Sequence, residues 1–105
     1  MIASSDDIYY ITKTGDYTGW QIYENNNYDF DKVETVFSII DFASKDSLMI
    51  DIGANLGSIC IPSVKRGLVS KAIAIEPEPE NFKLLCANIV LNDLYNIIHP
   101  QNIAL

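Results

Sequence analysis

The apolar positions change period several times along the chain, and the changes outline a mixed α/β order. Ile8-Tyr9-Tyr10-Ile11-Thr12 is a run of aromatic and β-branched residues and predicts a strand. Lys13-Thr14-Gly15-Asp16 is turn-forming, and Tyr17 to Tyr23 predicts the return strand of a hairpin. Beyond the polar Glu24-Asn25-Asn26-Asn27, apolar residues recur at spacings of three and four: Phe30, Val33, Phe37 and Ile40, with Val36 and Ile39 widening the stripe. That spacing predicts a helix to about Ala43, capped by Asp29 or Asp31, with acids at the positive end of its dipole. Leu48-Met49-Ile50-Asp51-Ile52 is nearly all apolar, the pattern of a strand covered on both faces by helices.

Gly53-Ala54-Asn55-Leu56-Gly57 breaks this run into a glycine turn, and Ile59, Cys60, Ile61 and Val64 lead a helix to Lys65-Arg66-Gly67. Pro62 has no N–H to donate, so this helix either starts late, near Ile59, or kinks. Lys71 to Ile75 is a second strand, and it ends on the acidic corner Glu76-Pro77. Pro79 opens the next helix at its first position, Phe82, Leu85, Cys86 and Ile89 form its apolar face, and Asn92-Asp93 ends it. Ile97-Ile98 and Ile103 fit a third strand, which Pro100 places at the rim of the sheet. The expected organisation is a lead-in hairpin and helix over residues 1–47 and a βαβαβ unit over 48–105, without repeats or a linker.

With 105 residues there is room for one small domain, and 49% hydrophobic with 20% charged residues is ordinary for a globular chain. Fourteen acidic against seven scattered basic residues leave a net charge of −7, which argues against a nucleic-acid partner. No apolar run is long enough for a membrane span, and the start lacks the basic and apolar regions of a signal peptide, so a cytoplasmic location is expected. Cys60 and Cys86 then read as buried free thiols. His99 is the single histidine and reads as structural, which leaves almost no material for a His-based metal site or His-dependent catalysis. Trp20 with Tyr9, Tyr10, Tyr17 and Tyr23 could line a pocket, although such a set is more often hairpin packing.

The chemistry concentrates in two corners. A strand, a glycine turn, a helix and a strand tipped with an acid make half of a nucleoside site. Gly53 and Gly57 allow sharp turning and close approach of a ligand, and the helix start offers free N–H groups. Asn55 supplies an amide that both donates and accepts. Asp51, at the strand's carboxyl end, suits a cationic ligand group, directly or through water. Glu76 sits where a carboxylate accepts from both ribose hydroxyls. A dinucleotide turn needs glycines at its first, third and sixth positions, where this chain has Gly53, Asn55 and Ser58, and there is no P-loop Gly-Lys-Ser/Thr. An amide in the middle position suits an amino-acid moiety, which favours S-adenosyl-L-methionine over NAD. The alternatives are an NAD-type module of an oxidoreductase and a non-catalytic Rossmann-like interaction module.

Asp51-Ile52-Gly53-Ala54-Asn55-Leu56-Gly57, followed by Ala74-Ile75-Glu76-Pro77-Glu78-Pro79-Glu80-Asn81-Phe82-Lys83-Leu84-Leu85 and by Asn88 and Asn92, resembles the FkbM family of S-adenosylmethionine-dependent methyltransferases. The resemblance runs from about Leu48 to Leu105, and Asn102-Ile103-Ala104-Leu105 extends it. It implies a Rossmann-like class I methyltransferase sheet of strand order 3-2-1-4-5-7-6, and O-methylation of a glycan or small metabolite. On the matching positions, Asp51, Gly53, Ala54, Asn55 and Gly57 would surround the methionine part. Glu76 with Pro77 would hold the ribose, and Asn81 with Phe82 would shape the adenosine wall. Glu78 departs from the family, which often has a shorter cap there, so a looser corner is expected.

Only three of the seven strands are accounted for. The expectation is therefore a truncated piece that grips the cofactor, contains no assignable general base, does not methylate alone, and self-associates through the open edge of the Leu48–Ile52 strand.

Overall fold

The computed structural model describes residues 2–5, 7–13, 30–40 and 46–105. Two sheets organise them. The first is an antiparallel pair, β1 (Ile2–Ser5) with β2 (Ile8–Ile11), in which Ile2 faces Ile11 and Ser5 faces Ile8. The second is parallel and three-stranded, in the order β3 (Leu48–Ile52), β4 (Lys71–Ile75) and β5 (Ile98–Gln101). The helices are α1 (Phe30–Ile40), α2 (Cys60–Lys65) and α3 (Pro79–Leu91).

Strand β2 falls where the apolar run placed it, but its described partner is Ile2–Ser5, a stretch not read as a strand. Ser4 and Ser5 give that stretch little β signal. The expected return strand at Tyr17–Tyr23 lies outside the described residues, as do Trp20 and the last residues expected of the lead-in helix. Tyr10 is buried in the core and Tyr9 is half exposed, so of this pair Tyr10 serves as packing.

In the parallel sheet each strand lies beside the one that follows it. Both crossovers step in the same direction, and right-handed crossovers then put α2 and α3 on the same face. The register shows which residues meet them. Met49, Asp51, Ala72, Ala74 and Ile98 share the covered face, and Ala72, Ala74 and Ile98 pack with Cys60, Ile61, Leu85 and Ile89 in the core. Leu48, Ile50 and Ile52 point the other way and are 53%, 58% and 66% exposed. The expectation that β3 is covered on both faces therefore fails among the described residues, because both described crossover helices occupy one side. Pro100 sits in β5 at the rim, opposite Ala74, where its missing N–H costs no ladder bond on the open edge.

Pro62 is accommodated by the late start. With Ile59 as cap, Pro62 is the third residue of α2, and the first-turn N–H groups of a helix have no internal partner to lose. Helix α3 begins at Pro79 and ends at Leu91 with Asn92 as its cap, followed by Asp93 at φ 60. The expectation of a loose start is not met. Glu78 adopts an extended cap conformation, and its Oε2 accepts from the Asn81 N–H at 2.8 Å. The longer side chain simply reaches back across the turn. The N–H groups of Asn81 and then Glu80 hold the Glu78 carboxyl below its usual range.

Candidate functional site

The two corners come together at the carboxyl ends of β3 and β4, where open α/β sheets place their ligands. The glycine turn is built from left-handed positions: Gly53 at φ 78, Asn55 at φ 55 and Gly57 at φ 99. Asparagine is among the few residues with a side chain that enter this region readily, so Asn55 has a backbone reason to be there as well as a chemical one. The turn is tied to β4 rather than left loose. The N–H groups of Gly53 and of Ala54, which is buried, both donate to the Ile75 carbonyl oxygen at 2.9 Å.

Glu76 is the clasp between the corners. It is buried, its Oε1 accepts from the Asn55 N–H at 2.7 Å, and its Oε2 accepts from the Glu78 N–H at 3.0 Å. Each carboxylate oxygen accepts two bonds, so both oxygens retain capacity for ligand hydroxyls. Asn102 fastens the same corner from β5's far end, its Nδ2 donating to the carbonyl oxygens of Glu76 at 2.9 Å and Pro77 at 3.1 Å. Pro77 is exposed beside it, and Asn81 is half-buried at the start of α3. The structure thus gathers Asp51, Gly53, Ala54, Asn55, Gly57 and Glu76 into one place, with Pro77 and Asn81 on its α3 side.

Asp51 lies on the covered face of β3. Cys60 donates to its carboxylate from both thiol and backbone N–H, while Asp51 Oδ2 has no partner. Burial, opposed by the Cys60 bonds and reinforced by the charge of Glu76, raises the Asp51 carboxyl above the usual aspartate range. Burial and then the neighbouring Asp51 charge keep the Cys60 thiol protonated, so it acts as a donor and not as a nucleophile. Cys60 is free and buried, as expected, whereas Cys86 is free but only half-buried. Cys60 is a site residue that sequence reading passed over. Its signal was its place in the first turn of the helix that follows the glycine turn.

Residues 25–104 match the TRM5/TYW2 methyltransferase domain. The chain belongs to the TRM5/TYW2 methyltransferase family. The fold of this family member also resembles solved structures. Pyrococcus horikoshii TYW2 in complex with MeSAdo superposes at a TM-score of 0.72 with 25% identity, over 98% of this chain and 35% of that one. P. horikoshii PH0793, assigned as a transferase, superposes at 0.70 with 24% identity, over 98% of this chain and 36% of that one. Streptococcus pneumoniae Sp1610, assigned as a tRNA (m1A22) methyltransferase, superposes at 0.55 with 26% identity, over 66% of this chain and 30% of that one. No match is found among the curated proteins. The chain spans about a third of the length of the structures it resembles.

These findings establish the class I methyltransferase fold, and the expected cofactor, S-adenosyl-L-methionine, accords with the family. The FkbM resemblance is replaced by TRM5/TYW2 membership, and nothing supports O-methylation of a glycan or small metabolite. The expectation of no nucleic-acid partner is overturned, because one of the structures this chain resembles, Sp1610, is assigned as a tRNA methyltransferase. The acidity argument failed because the net charge of 105 residues describes only their own surface. Among the described residues no helix is long and apolar enough to cross a membrane, and no cluster of candidate metal ligands occurs.

Proposed function

We propose that this chain is the S-adenosylmethionine-binding part of a tRNA methyltransferase. One observation carries the cofactor half of this reading: a half-buried aspartate whose Oδ2 is itself buried and unpartnered, Asp51, beside a glycine turn. An orphaned buried acceptor is costly unless a ligand completes it, and a cationic amino group is the chemistry that would. The space is there too. A Cβ built on Gly53 would meet nothing within 4 Å. Asp51, Gly53, Ala54, Asn55 and Gly57 hold the methionine end in this reading. Glu76 and Pro77 hold the ribose, with Asn81 on the adenosine side. The bound cofactor supplies a methyl group on a sulfonium, ready for a nucleophile, and the chain's own contribution is grip and alignment.

The tRNA half rests on the relatives. Phosphate contacts need clustered Lys and Arg, which this acidic stretch does not provide, so we place them on surfaces outside these residues. Calorimetric titration with S-adenosylhomocysteine and with NAD tests the cofactor. Binding of the first and not the second is expected, and the reverse would refute the reading. For the acceptor, the natural gene product is incubated with methyl-labelled cofactor and total tRNA. Label in the tRNA fraction is the expected result, and label confined to glycans or small metabolites rejects it.

Asp51→Asn separates grip from stability. The folded state holds the Asp51 proton more tightly than the unfolded chain, whose aspartate titrates near ~4. Between those two values the native state binds more protons, so this group's contribution to stability falls as pH rises through the window. Asparagine removes that penalty while still accepting from Cys60. The Asp51→Asn chain is therefore expected to melt no lower than the parent at pH 7, yet to bind S-adenosylhomocysteine about tenfold or more weakly. Parent affinity should also decline on acidification through the raised Asp51 range, and that decline should vanish in the variant. A variant that binds as tightly as the parent would remove Asp51 from the site.

A further inference from the structure

Two asparagines one turn apart, Asn88 in α3 and Asn92 at its C-cap, pair the backbone edge of β2. Asn88 is fully buried. Its Oδ1 accepts from the Ile11 N–H, and its Nδ2 donates to the Ile11 carbonyl oxygen at 3.2 Å. Asn92 does the same for Tyr9, accepting from its N–H at 3.0 Å and donating to its carbonyl oxygen at 2.7 Å. Tyr9 and Ile11 are alternate residues of β2, so their backbone groups share the edge that faces away from β1. The carboxamides pair that edge as a neighbouring strand would, and leave it closed to other chains.

The two asparagines differ in their remaining bond. Asn92 Nδ2 donates at 2.8 Å to the Asn88 carbonyl oxygen, within its own helical segment. Asn88 Nδ2 donates at 2.8 Å to the carbonyl oxygen of Leu56, inside the glycine turn. Leu56 is fully buried between Asn55, whose N–H is held by Glu76, and Gly57, whose N–H is held by the Ala54 carbonyl. Asn88 therefore uses its acceptor and both its donors on two segments far apart in sequence: the hairpin and the turn. Aspartate would lose both donors, and alanine would leave three backbone groups unpaired.

We propose that Asn88 is a positioning residue that makes the Ile2–Ile11 hairpin a structural part of the cofactor site, by holding the Leu56 carbonyl and the β2 edge with one carboxamide. The inference rests on the cofactor reading proposed above. Coupling of this kind is reciprocal: if the hairpin steadies the turn, a ligand on the turn steadies the hairpin.

The test compares the parent chain with Asn88→Ala and Asn92→Ala, all well below their melting midpoints. S-adenosylhomocysteine affinity is measured by calorimetry, and amide hydrogen exchange is followed residue by residue. Asn92→Ala is expected to speed exchange at Tyr9 and to leave affinity within twofold. Asn88→Ala is expected to weaken binding tenfold or more and to speed exchange at Asn55 and Gly57. Unchanged affinity in Asn88→Ala, with faster exchange at Ile11 alone, reduces Asn88 to a hairpin anchor and overturns the proposal. If Asn88→Ala does not fold, the parent decides: bound S-adenosylhomocysteine should slow exchange at Ile11 more than at Tyr9, and equal slowing overturns the proposal. A parent that binds no S-adenosylhomocysteine overturns the cofactor reading itself, and the positioning role with it.

Discussion

Replacing Glu76 by glutamine is expected to cost the chain both stability and cofactor affinity, although the two side chains have the same length. Both Glu76 oxygens accept backbone N–H groups, from Asn55 in the glycine turn and Glu78 at the cap of α3. Glutamine offers one acceptor and one donor, so its amide NH₂ must face one of those N–H groups. A hydrogen bond to a charged partner contributes about 1.5–3 kcal/mol, and losing one in a buried corner leaves the donor unpaired. We expect a loss of ~2–3 kcal/mol, read as a fall in melting midpoint of roughly 10–20 °C for a chain of this size. Binding of S-adenosylhomocysteine should fall at least tenfold as well, because in the proposed reading the clasp that shapes the turn also holds the ribose. A glutamine variant melting within a few degrees of the parent would show that the two corners are held by the Ile75 and Asn102 bonds instead.

This double duty explains which parts of the site could be read in advance. The glycine turn and the acidic tip are legible because their residue types are forced: left-handed backbone selects glycine and asparagine, and a buried acceptor at a strand end selects a carboxylate. The limits of α3 and the late start of α2 were legible for the same reason, since Pro79 and Pro62 restrict where helical hydrogen bonds can begin. Asn88 and Asn92 were visible only as matched letters. Two carboxamides four residues apart, beside the buried Leu85 and Ile89, already imply a polar partner. The partner itself, the β2 edge, lies about eighty residues away in sequence and is decided by tertiary packing.

The family assignment failed at the same boundary. In the proposed reading the Asp51–Gly57 and Glu76–Leu85 blocks grip the cofactor, and a cofactor grip carries no information about the acceptor. No residue between Leu48 and Leu105 could be assigned to an acceptor from the sequence, so the resemblance named the cofactor correctly and misjudged the acceptor. The open face of Leu48, Ile50 and Ile52 has a similar origin. Their apolar character is plain in the sequence, but which side each helix takes follows from strand order, and strand order is a property of the whole sheet.

The two outer glycines of the turn should fail in opposite ways when each is changed to alanine. At Gly57, φ is 99, and an added Cβ would lie 2.5 Å from Ile61 Cδ1, 3.1 Å from Ile61 Cγ1 and 3.3 Å from Leu85 Cδ1. Ile61 and Leu85 are fully buried, so neither can swing aside without disturbing the core that joins α2 to α3. Backbone strain of ~1–3 kcal/mol and overpacking of similar size combine to about 2–6 kcal/mol, a large share of the ~5–15 kcal/mol that holds a typical domain together. At Gly53, φ is 78 but the new Cβ meets no protein atom within 4 Å, so only the strain of roughly 1–2 kcal/mol remains. That methyl group would instead project into the space assigned to the cofactor's methionine end. Urea denaturation should therefore rank Gly57→Ala well below Gly53→Ala in midpoint. Titration with S-adenosylhomocysteine, at a temperature where both are folded, should show the greater loss of affinity in Gly53→Ala. If both variants lose stability equally and bind alike, the open space beside Gly53 is not where the ligand sits.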